Sequence, residues 1–548
     1  MLRFFNVLLI AIFFSKTRAN VVEISEGTIR GHELKSAKGN SYYGYQDIPY
    51  AAPPTGDRRF KDPVEPEKWS GIRDATKNEK ICFQVVPTLA GLNQTEDCLY
   101  LNVYTPVKTV RNNTSLLPVL LWIHGGGFFL QAGSLGYYNP RYLMDYDVIF
   151  VTPNYRLGVF GLLATSDGVI PGNRSLKDLL MAIRWVNKNI HRFGGDKNRL
   201  TVMGASSGAI SAGYLQLSPL TKGLVRGYIM GGGSPFAMMG FQSQPDHYAF
   251  KLARTLDKNF QSNDTKDVLD LLMRARAEDI LYAPVLNDYY NLTLAAGLVW
   301  QPTIEPKSYE NAFISEPMVE AMTKGHFQQV PLLMGTVDEE AFNLLPTLSF
   351  LMEEATKYDT GVKSLLHPDL HVPTELAEEA NQLYKSVYTN GTLRENSRQF
   401  MQLLGEDTIS TPTIHYAVLA SKYTPVYFWQ FRYRGLMGRG YPIVKRAGHA
   451  EQILYLFGGV SGMRGDSRDY PEDDQVTVSR MLTIWTNFAK YGNPTPKPLE
   501  GITWPKFKED SMEFVDINDN LTIKNNPKKY RDVRKVIEKY SRPPYYVF

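Results

Sequence analysis

The stretch "LTVMGASSGAISAGYLQL", residues 200–217, combines a strand, a sharp turn and a helix. Its apolar first five residues predict a buried strand, and the small and apolar residues after Gly208 predict a helix. The turn carries a Gly-x-Ser-x-Gly frame centred on Ser206, which in this setting is typical of a nucleophile elbow. Gly204 and Gly208 lack side chains because strand and helix pass too close for a Cβ. We therefore predict that Ser206, rather than Ser207, is a nucleophile.

Other apolar runs predict that this strand belongs to a largely parallel sheet. They are long enough to be buried on both faces, and an amphipathic helix, "SLKDLLMAIRWVNKNI" at 175–190, separates two of them. Strand, helix and strand in this order form the crossover unit of an α/β fold. No repeat or linker divides residues 20–548, which predicts one domain. The predicted strands are "LPVLLWI" (117–123), "DVIFVTPNY" (147–155), "LTVMG" (200–204), "VPLLMG" (330–335) and "PVYFWQF" (425–431).

A reactive serine requires hydrogen-bond donors for the negative charge that develops on its substrate. The segment "WIHGGGFF", residues 122–129, directly follows a predicted strand. Its glycines, Gly125 to Gly127, let backbone N–H groups approach such a charge. A further donor is expected from the backbone N–H of Ser207, because the residue after the nucleophile contributes one in elbows of this kind. Together these residues predict an oxyanion hole.

The serine also requires a base, and the base requires an acid that orients it. His449 lies in "KRAGHAEQILYLFG", shortly after the predicted strand at 425–431, and is the candidate base. The candidate acids follow the predicted strand at 330–335 directly. They are Asp338, Glu339 and Glu340, and composition does not choose among them.

The first 19 residues predict a secretory signal peptide. A basic start precedes a largely apolar run of 11 residues, Phe4 to Phe14, and a small residue, Ala19, follows. The run is too short to span a bilayer, and the final residues "SRPPYYVF" carry no lipid-anchor signal. Cleavage after Ala19 lowers the formal net charge from +4 to +1, which gives no support for nucleic-acid binding. We expect a secreted protein without a membrane anchor.

Two further features fit secretion. Cys82 and Cys98 are the two cysteines of the chain, and in an oxidising compartment one disulfide can close the 15-residue loop between them. Such a closure stabilises the fold by about 3 kcal/mol in the loop-entropy model. With only two cysteines, the sequence does not favour a structural zinc site. Candidate N-glycosylation frames begin at Asn93, Asn112, Asn113, Asn173, Asn263, Asn291, Asn390 and Asn520.

These motifs together resemble those of type-B carboxylesterases, the cholinesterase-like branch of the α/β-hydrolases, most strongly the insect secreted esterases. The resemblance runs from about Asn20 to the end of the chain. It rests on many segments in one order: "YAAPPTGDRRF", "EDCLYLNVYTP", "HGGGF", "NYRLGVFGLL", "FGGDKNRLTVMGASSG", "LSPLTKGL" and "WTNFAKYGNPTP".

The resemblance implies an α/β-hydrolase fold with a large, mostly parallel sheet flanked by helices, and hydrolysis of a small-molecule carboxylic ester through an acyl-enzyme. It implies no cofactor and no metal, and no feature of the sequence indicates an oligomeric state. It assigns Ser206 as nucleophile, Glu340 as acid and His449 as base. Further assignments are Gly126, Gly127 and Ser207 to the oxyanion hole, Cys82 with Cys98 to a disulfide, and Trp300 to the substrate pocket.

The chain also departs from this family. Cholinesterases carry glutamate where Ala205 stands and a tryptophan in the loop here spanning 83–97, so we reject a cholinesterase. Ala205, Ser207 and Gln452 differ from the usual pattern of juvenile hormone esterases, which remain the alternative among enzymes. A serine of the family near the triad is replaced by Gly232. The alternative from another class is a non-catalytic, esterase-like adhesion or ligand-binding protein.

Overall fold

A computed structural model describes most of the chain. The described residues are 20–85, 92–108, 110–111, 114–283, 299–341, 348–438, 446–458 and 469–548. The predicted signal peptide at residues 1–19 and the predicted glycosylation frames at Asn112, Asn113 and Asn291 lie outside them.

The strands within the described ranges extend over nearly the whole chain. They are β1 (Val21–Glu23), β2 (Thr28–Arg30), β3 (His32–Lys35), β4 (Ser41–Pro49), β5 (Ile72–Asp74), β6 (Lys80–Cys82), β7 (Asn93–Thr95), β8 (Tyr100–Thr105), β9 (Leu117–Ile123), β10 (Ile149–Pro153), β11 (Gly195–Ala205), β12 (Gly227–Gly231), β13 (Leu332–Val337), β14 (Val426–Phe431), β15 (Phe514–Ile517) and β16 (Leu521–Lys524).

The helices lie mainly in the connections between the later strands. They are α1 (Gly158–Leu162), α2 (Arg174–Asn189), α3 (Ser207–Leu217), α4 (Pro245–Leu256), α5 (Thr265–Arg274), α6 (Ala277–Leu281), α7 (Met318–Thr323), α8 (Leu348–Asp359), α9 (Ala377–Ser386), α10 (Ser397–Gly405), α11 (Thr411–Ser421), α12 (Leu454–Phe457), α13 (Glu472–Tyr491) and α14 (Tyr530–Tyr540). A π-helical turn, Glu406–Ser410, joins α10 to α11.

Eleven of the described strands form one mixed sheet, in the order β16-β15-β14-β13-β12-β11-β9-β10-β8-β4-β3. The strands from β15 to β10 in this order run parallel, whereas β16, β8, β4 and β3 pair antiparallel with their neighbours. The predicted α/β class with a large, mostly parallel sheet flanked by helices is therefore confirmed.

The central strands are apolar because helices cover both faces of the sheet. Every residue of β13 and of β14 is buried, and β9 is buried except for its first residue. These three strands coincide with predicted apolar runs to within two residues at each end. The strand predicted at 200–204 was too short, because β11 begins at Gly195. Its polar and partly exposed first residues, interrupted by a register shift before Leu200, do not resemble a buried strand.

The parallel arrangement places five strand ends at one edge of the sheet. The carboxyl ends of β9, β11, β12, β13 and β14 lead into the segments that carry the predicted site residues. Loops at this edge of a parallel sheet form the usual ligand crevice of α/β proteins. Within the described part of the chain, no helix combines the length and the hydropathy required to cross a membrane.

Candidate active site

The turn between β11 and α3 holds Ser206 in a strained backbone conformation. Its φ is 58° and its ψ is −131°, outside the regions that residues with a side chain usually occupy. The Ser206 N–H donates to Gly231 O over 2.9 Å. A Cβ on Gly208 would lie 2.2 Å from Ile123 O, so only glycine allows α3 to pass this close to β9. The predicted elbow geometry is present.

The predicted oxyanion loop lies directly against this turn. A Cβ on Gly125 would lie 3.1 Å from the Ser206 Cβ and 2.7 Å from Ala205 O. The next two residues, Gly126 and Gly127, have φ values of 105° and 61°. Among the described residues, no acceptor takes the backbone N–H of Gly126, Gly127 or Ser207. Three N–H groups are thus free to donate to an anion beside Ser206.

Two contacts that we did not predict support this loop from behind. The Tyr155 hydroxyl donates to His124 O over 2.8 Å, and the two rings stack with centroids 4.3 Å apart. Burial lowers the pKa of His124 to about 4, so this ring is neutral at pH 7. The Gly158 N–H donates to Phe128 O over 2.7 Å. Tyr155 and Gly158 belong to the quoted segment "NYRLGVFGLL", but sequence alone gave no reason to place it behind the loop.

Glu340 and His449 meet through a short contact between two loops. The His449 Nδ1 and the Glu340 Oε2 are 2.6 Å apart. The other oxygen of this carboxylate, Oε1, accepts the Val337 N–H over 2.9 Å. The Glu340 side chain is 1% exposed and that of His449 is 15% exposed. The carboxylate is therefore fixed at both oxygens, and the imidazole keeps access to the site.

The backbone brings these two loops together. The Glu339 N–H donates to Ala447 O over 2.9 Å, and Glu339 forms an isolated parallel bridge with Gly448. The Gly448 N–H in turn donates to the carboxylate of buried Glu451 over 2.8 Å. The sequence did not reveal this contact of Glu451, although the residue stands only two positions after the predicted base.

The other two candidate acids face elsewhere. Asp338 forms ion pairs with Arg432 and Arg446, each over 3.5 Å. Glu339 pairs with Arg446 over 3.3 Å. Of the three acids that the sequence left open, only Glu340 contacts His449 in the described structure.

The segment from Gly231 to Gly233 lies between the elbow and the acid–base pair. Gly231 O accepts the Ser206 N–H. A Cβ on Gly232 would lie 3.3 Å from His449 Cε1 and 3.4 Å from Glu340 Oε2. This segment therefore contacts both sides of the site.

Between the Ser206 hydroxyl and the His449 ring, both of which are described, there is no hydrogen bond. Bonds of this kind are often long before substrate binds.

Trp300 is buried, with 6% of its surface exposed, and its ring lies beside Gly158. The Gly158 N–H is bonded to Phe128 O, so the indole lies near the residue that follows the glycine loop. Its predicted contact with substrate stays a prediction.

The predicted disulfide and one predicted glycan site have clear structural outcomes. Cys82 and Cys98 are bonded to each other, with their Cα atoms 4.9 Å apart.

The prediction of a glycan at Asn173 needs correction. This residue is 1% exposed, its Nδ2 donates to Thr303 O over 2.7 Å, and its Oδ1 accepts the Thr303 N–H over 2.9 Å. An amide bonded on both sides in the interior has no room for a glycan. The frames at Asn93, Asn263, Asn390 and Asn520 are exposed.

The described residues include no group of three or more His, Cys, Asp or Glu side chains placed to hold a metal ion. The groups assembled at this edge are instead a serine, an imidazole, a carboxylate and free backbone donors.

The sequence and the structure match known esterases over nearly their whole lengths. The sequence model described as "Carboxylesterase family" matches residues 18–533. A juvenile hormone esterase of Tribolium castaneum is 30% identical over 90% of this chain and 87% of that protein. A para-nitrobenzyl esterase of Bacillus subtilis is 32% identical over 90% and 95%. The structure of juvenile hormone esterase from Manduca sexta, with OTFP covalently attached, has a TM-score of 0.84 and 26% identity, covering 95% of this chain and 99% of that one.

Proposed function

Since this chain belongs to the carboxylesterase family and is a carboxylic ester hydrolase of the serine type, we propose that Ser206, His449 and Glu340 are its catalytic triad. The observation that carries this proposal is the 2.6 Å contact between His449 and the buried Glu340, at the sheet edge where the strained turn presents Ser206. The fold is the α/β-hydrolase fold of these relatives.

The reaction proceeds in two steps. His449 accepts the Ser206 proton as the hydroxyl oxygen bonds to the ester carbonyl carbon, and the carbonyl π electrons move onto its oxygen. The backbone N–H groups of Gly126, Gly127 and Ser207 stabilise this oxyanion. The C–O bond to the alcohol breaks, and His449 protonates the leaving oxygen. Water then attacks the acyl-enzyme in the same way and releases the acid.

Glu340 acts through His449. Its carboxylate accepts from Nδ1, which directs the basic Nε2 to the serine and stabilises the imidazolium that forms during each step. Because Val337 N–H holds the second oxygen, the carboxylate cannot rotate away from the ring. Neither a metal nor a cofactor takes part in this proposal.

Hydrolysis of p-nitrophenyl acetate by the intact protein and by a Ser206→Ala variant tests the triad. We expect the variant to lose about 10³-fold or more in kcat, with little change in thermal unfolding, because the hydroxyl is the attacking group. Ser207→Ala is the matched control and should keep most of the activity, since the proposed mechanism uses only the backbone N–H of Ser207. Equal rates for wild type and Ser206→Ala would refute the assignment.

A second candidate is the hydrolysis of juvenile hormone, favoured by the likeness to the esterases of Tribolium castaneum and Manduca sexta. Ala205, Ser207 and Gln452 differ from the residues usual in that group, so we place a general small carboxylic ester first. Competition of the hormone against a short-chain ester distinguishes the two. Strong inhibition of ester turnover by the hormone at low concentration would favour the second candidate.

We also propose that the protein is secreted. The support is the predicted signal peptide and the Cys82–Cys98 disulfide, which forms in oxidising compartments. The likeness to the venom carboxylesterase-6 of Apis mellifera, 29% identical over 89% of this chain and 88% of that protein, points the same way.

A further inference from the structure

A second pocket, of about 720 Å³, lies at the opposite edge of the sheet from Ser206. Helix α3 begins at Ser207 beside the elbow and ends at Leu217, which lines the pocket. Eleven helical residues span about 16 Å. On the adjoining side, Val330 lines the pocket just before β13 starts, whereas Glu340 follows the far end of that strand. The pocket therefore lies at the amino ends of the central strands, whereas Ser206 and Glu340 follow their carboxyl ends. The two sites share no residue.

The size and lining of this pocket suit the hydrocarbon part of a small molecule. Ligand pockets are typically about 300–1,000 Å³ and mostly apolar. The side chains that form the apolar wall come from the end of α3, the turn after it, the first residue of α7 and the segments flanking that helix. They are Leu217, Val225, Ile314, Met318, Phe327 and Val330.

The rim of the pocket carries one lysine and one glutamate, which differ in their partners. Lys222 lines the pocket and is exposed, and no acidic side chain in the described part of the chain pairs with it. The acid that lines the pocket, Glu316, is held by His326 Nδ1 over 2.9 Å. The nearby Glu320 pairs with Lys324 over 3.4 Å. The cation left without a partner at the rim is therefore Lys222, and it is complementary to a ligand anion.

We propose that this pocket binds a free long-chain carboxylate, with the hydrocarbon chain against the apolar wall and the carboxylate at Lys222. The ammonium group of lysine is a point charge that accepts a carboxylate without a fixed geometry. The chain supplies affinity through burial of apolar surface, and the charge selects an anion over an alcohol or a cation. This site goes beyond the proposed triad and does not depend on it.

Calorimetric titration with decanoate below its micelle-forming concentration tests the site. We compare it with decan-1-ol and decyltrimethylammonium, which share the chain and differ in the head group. Wild type is expected to bind decanoate up to about fivefold tighter than either, since one exposed charge pair contributes at most about 1 kcal/mol. Lys222→Gln should lose this preference. Lys258→Gln, exposed and outside the pocket, is the matched control.

A second variant, Ser315→Trp, places a large ring into the pocket from a half-buried lining position. It should remove the decanoate site whatever the head group, while circular dichroism and p-nitrophenyl acetate turnover stay as in wild type. Decanoate binding that is unchanged in both variants, or absent in wild type, would overturn the proposal. Equal affinity for decan-1-ol would overturn the role of Lys222. Loss of esterase activity in Ser206→Ala bears on the triad alone.

Discussion

Glu340 differs from its neighbours Asp338 and Glu339 by the direction of its side chain. The three acids follow the same strand, but two of them face arginine and only Glu340 faces His449. The acid that orients a catalytic histidine stabilises the imidazolium and its tautomer, which the other two cannot do from their positions.

We expect Glu340→Gln to lower kcat for p-nitrophenyl acetate by about 10²- to 10⁴-fold, because the amide NH2 would donate to Nδ1 and hold the imidazole of His449 in the wrong tautomer. Glu339→Gln and Asp338→Asn are the matched controls. Both should stay within about threefold of wild type in kcat, although Asp338→Asn should lower the free energy of unfolding, since it breaks a group of ion pairs. A nearly normal rate for Glu340→Gln, or a collapse for Glu339→Gln, would contradict the assignment.

The sequence predicted Ser206 more easily than its partners for a physical reason. The elbow is local, so its glycines and its strand–helix context stand within a dozen residues. The partner acid depends on a contact across 109 positions in the chain, which no local pattern encodes. Tyr155 escaped prediction for the same reason, because it acts through one hydrogen bond to a backbone group 31 positions away. Glu451 is close to His449 in the chain, but a single acid that bonds one backbone N–H carries no recognisable motif.

At the scale of elements, the π-helical turn between α10 and α11 lies against the acid loop. A Cβ on Gly405, the last residue of α10, would lie 2.7 Å from Ala341 N and 3.2 Å from Glu340 Cβ. The turn buries two carboxyl groups. Asp407 accepts from the Tyr384 hydroxyl over 2.5 Å, and Glu406 accepts from the Tyr388 hydroxyl over 3.2 Å. Burial raises the pKa of Asp407 to about 7.

This raised pKa predicts the direction of a pH dependence. Between pH 4 and 7 the Asp407 carboxyl is protonated in the folded state but ionised in the unfolded state. The folded state then binds more protons, so the free energy of unfolding falls as pH rises, by at most about 4 kcal/mol from this group. In Asp407→Asn that contribution should disappear, so the variant loses less stability than wild type between pH 5 and 8 in urea titrations.

The exposed Asp279→Asn serves as the control for the loss of one carboxyl, and its pH profile should follow that of wild type. A steeper fall for Asp407→Asn than for wild type would contradict the buried, protonated carboxyl.

The long apolar strands were predictable and the π-helical turn was not. Strands β9, β13 and β14 are almost entirely apolar because they are covered on both faces. The turn "EDTIS" at 406–410 is polar and has no such signature. Its buried acids are bonded by one tyrosine of the separate helix α9 and by another that follows this helix. Its position depends on tertiary packing, which local patterns do not contain.

At the scale of the whole molecule, secretion predicts glycans at exposed frames only. Expressed in insect cells with residues 1–19, the protein should appear in the medium and shift to lower mass after treatment with a peptide N-glycosidase. Site mapping by mass spectrometry should place glycans among Asn93, Asn263, Asn390 and Asn520 and leave Asn173 unmodified, because its amide is buried and bonded on both sides. A glycan on Asn173, or retention of the full-length protein inside the cells, would contradict this account.

The account as a whole depends on Ser206, whose hydroxyl is proposed to react because His449 and Glu340, on two other loops, activate it. The most direct measurement is to treat the folded protein with diethyl p-nitrophenyl phosphate and to locate the covalent label by peptide mass spectrometry. A single phosphoryl adduct on Ser206, formed with loss of ester hydrolysis and strongly slowed in Glu340→Gln, is the predicted result. An unlabelled Ser206 in a protein that still hydrolyses esters, or a label on Ser207 instead, would contradict it.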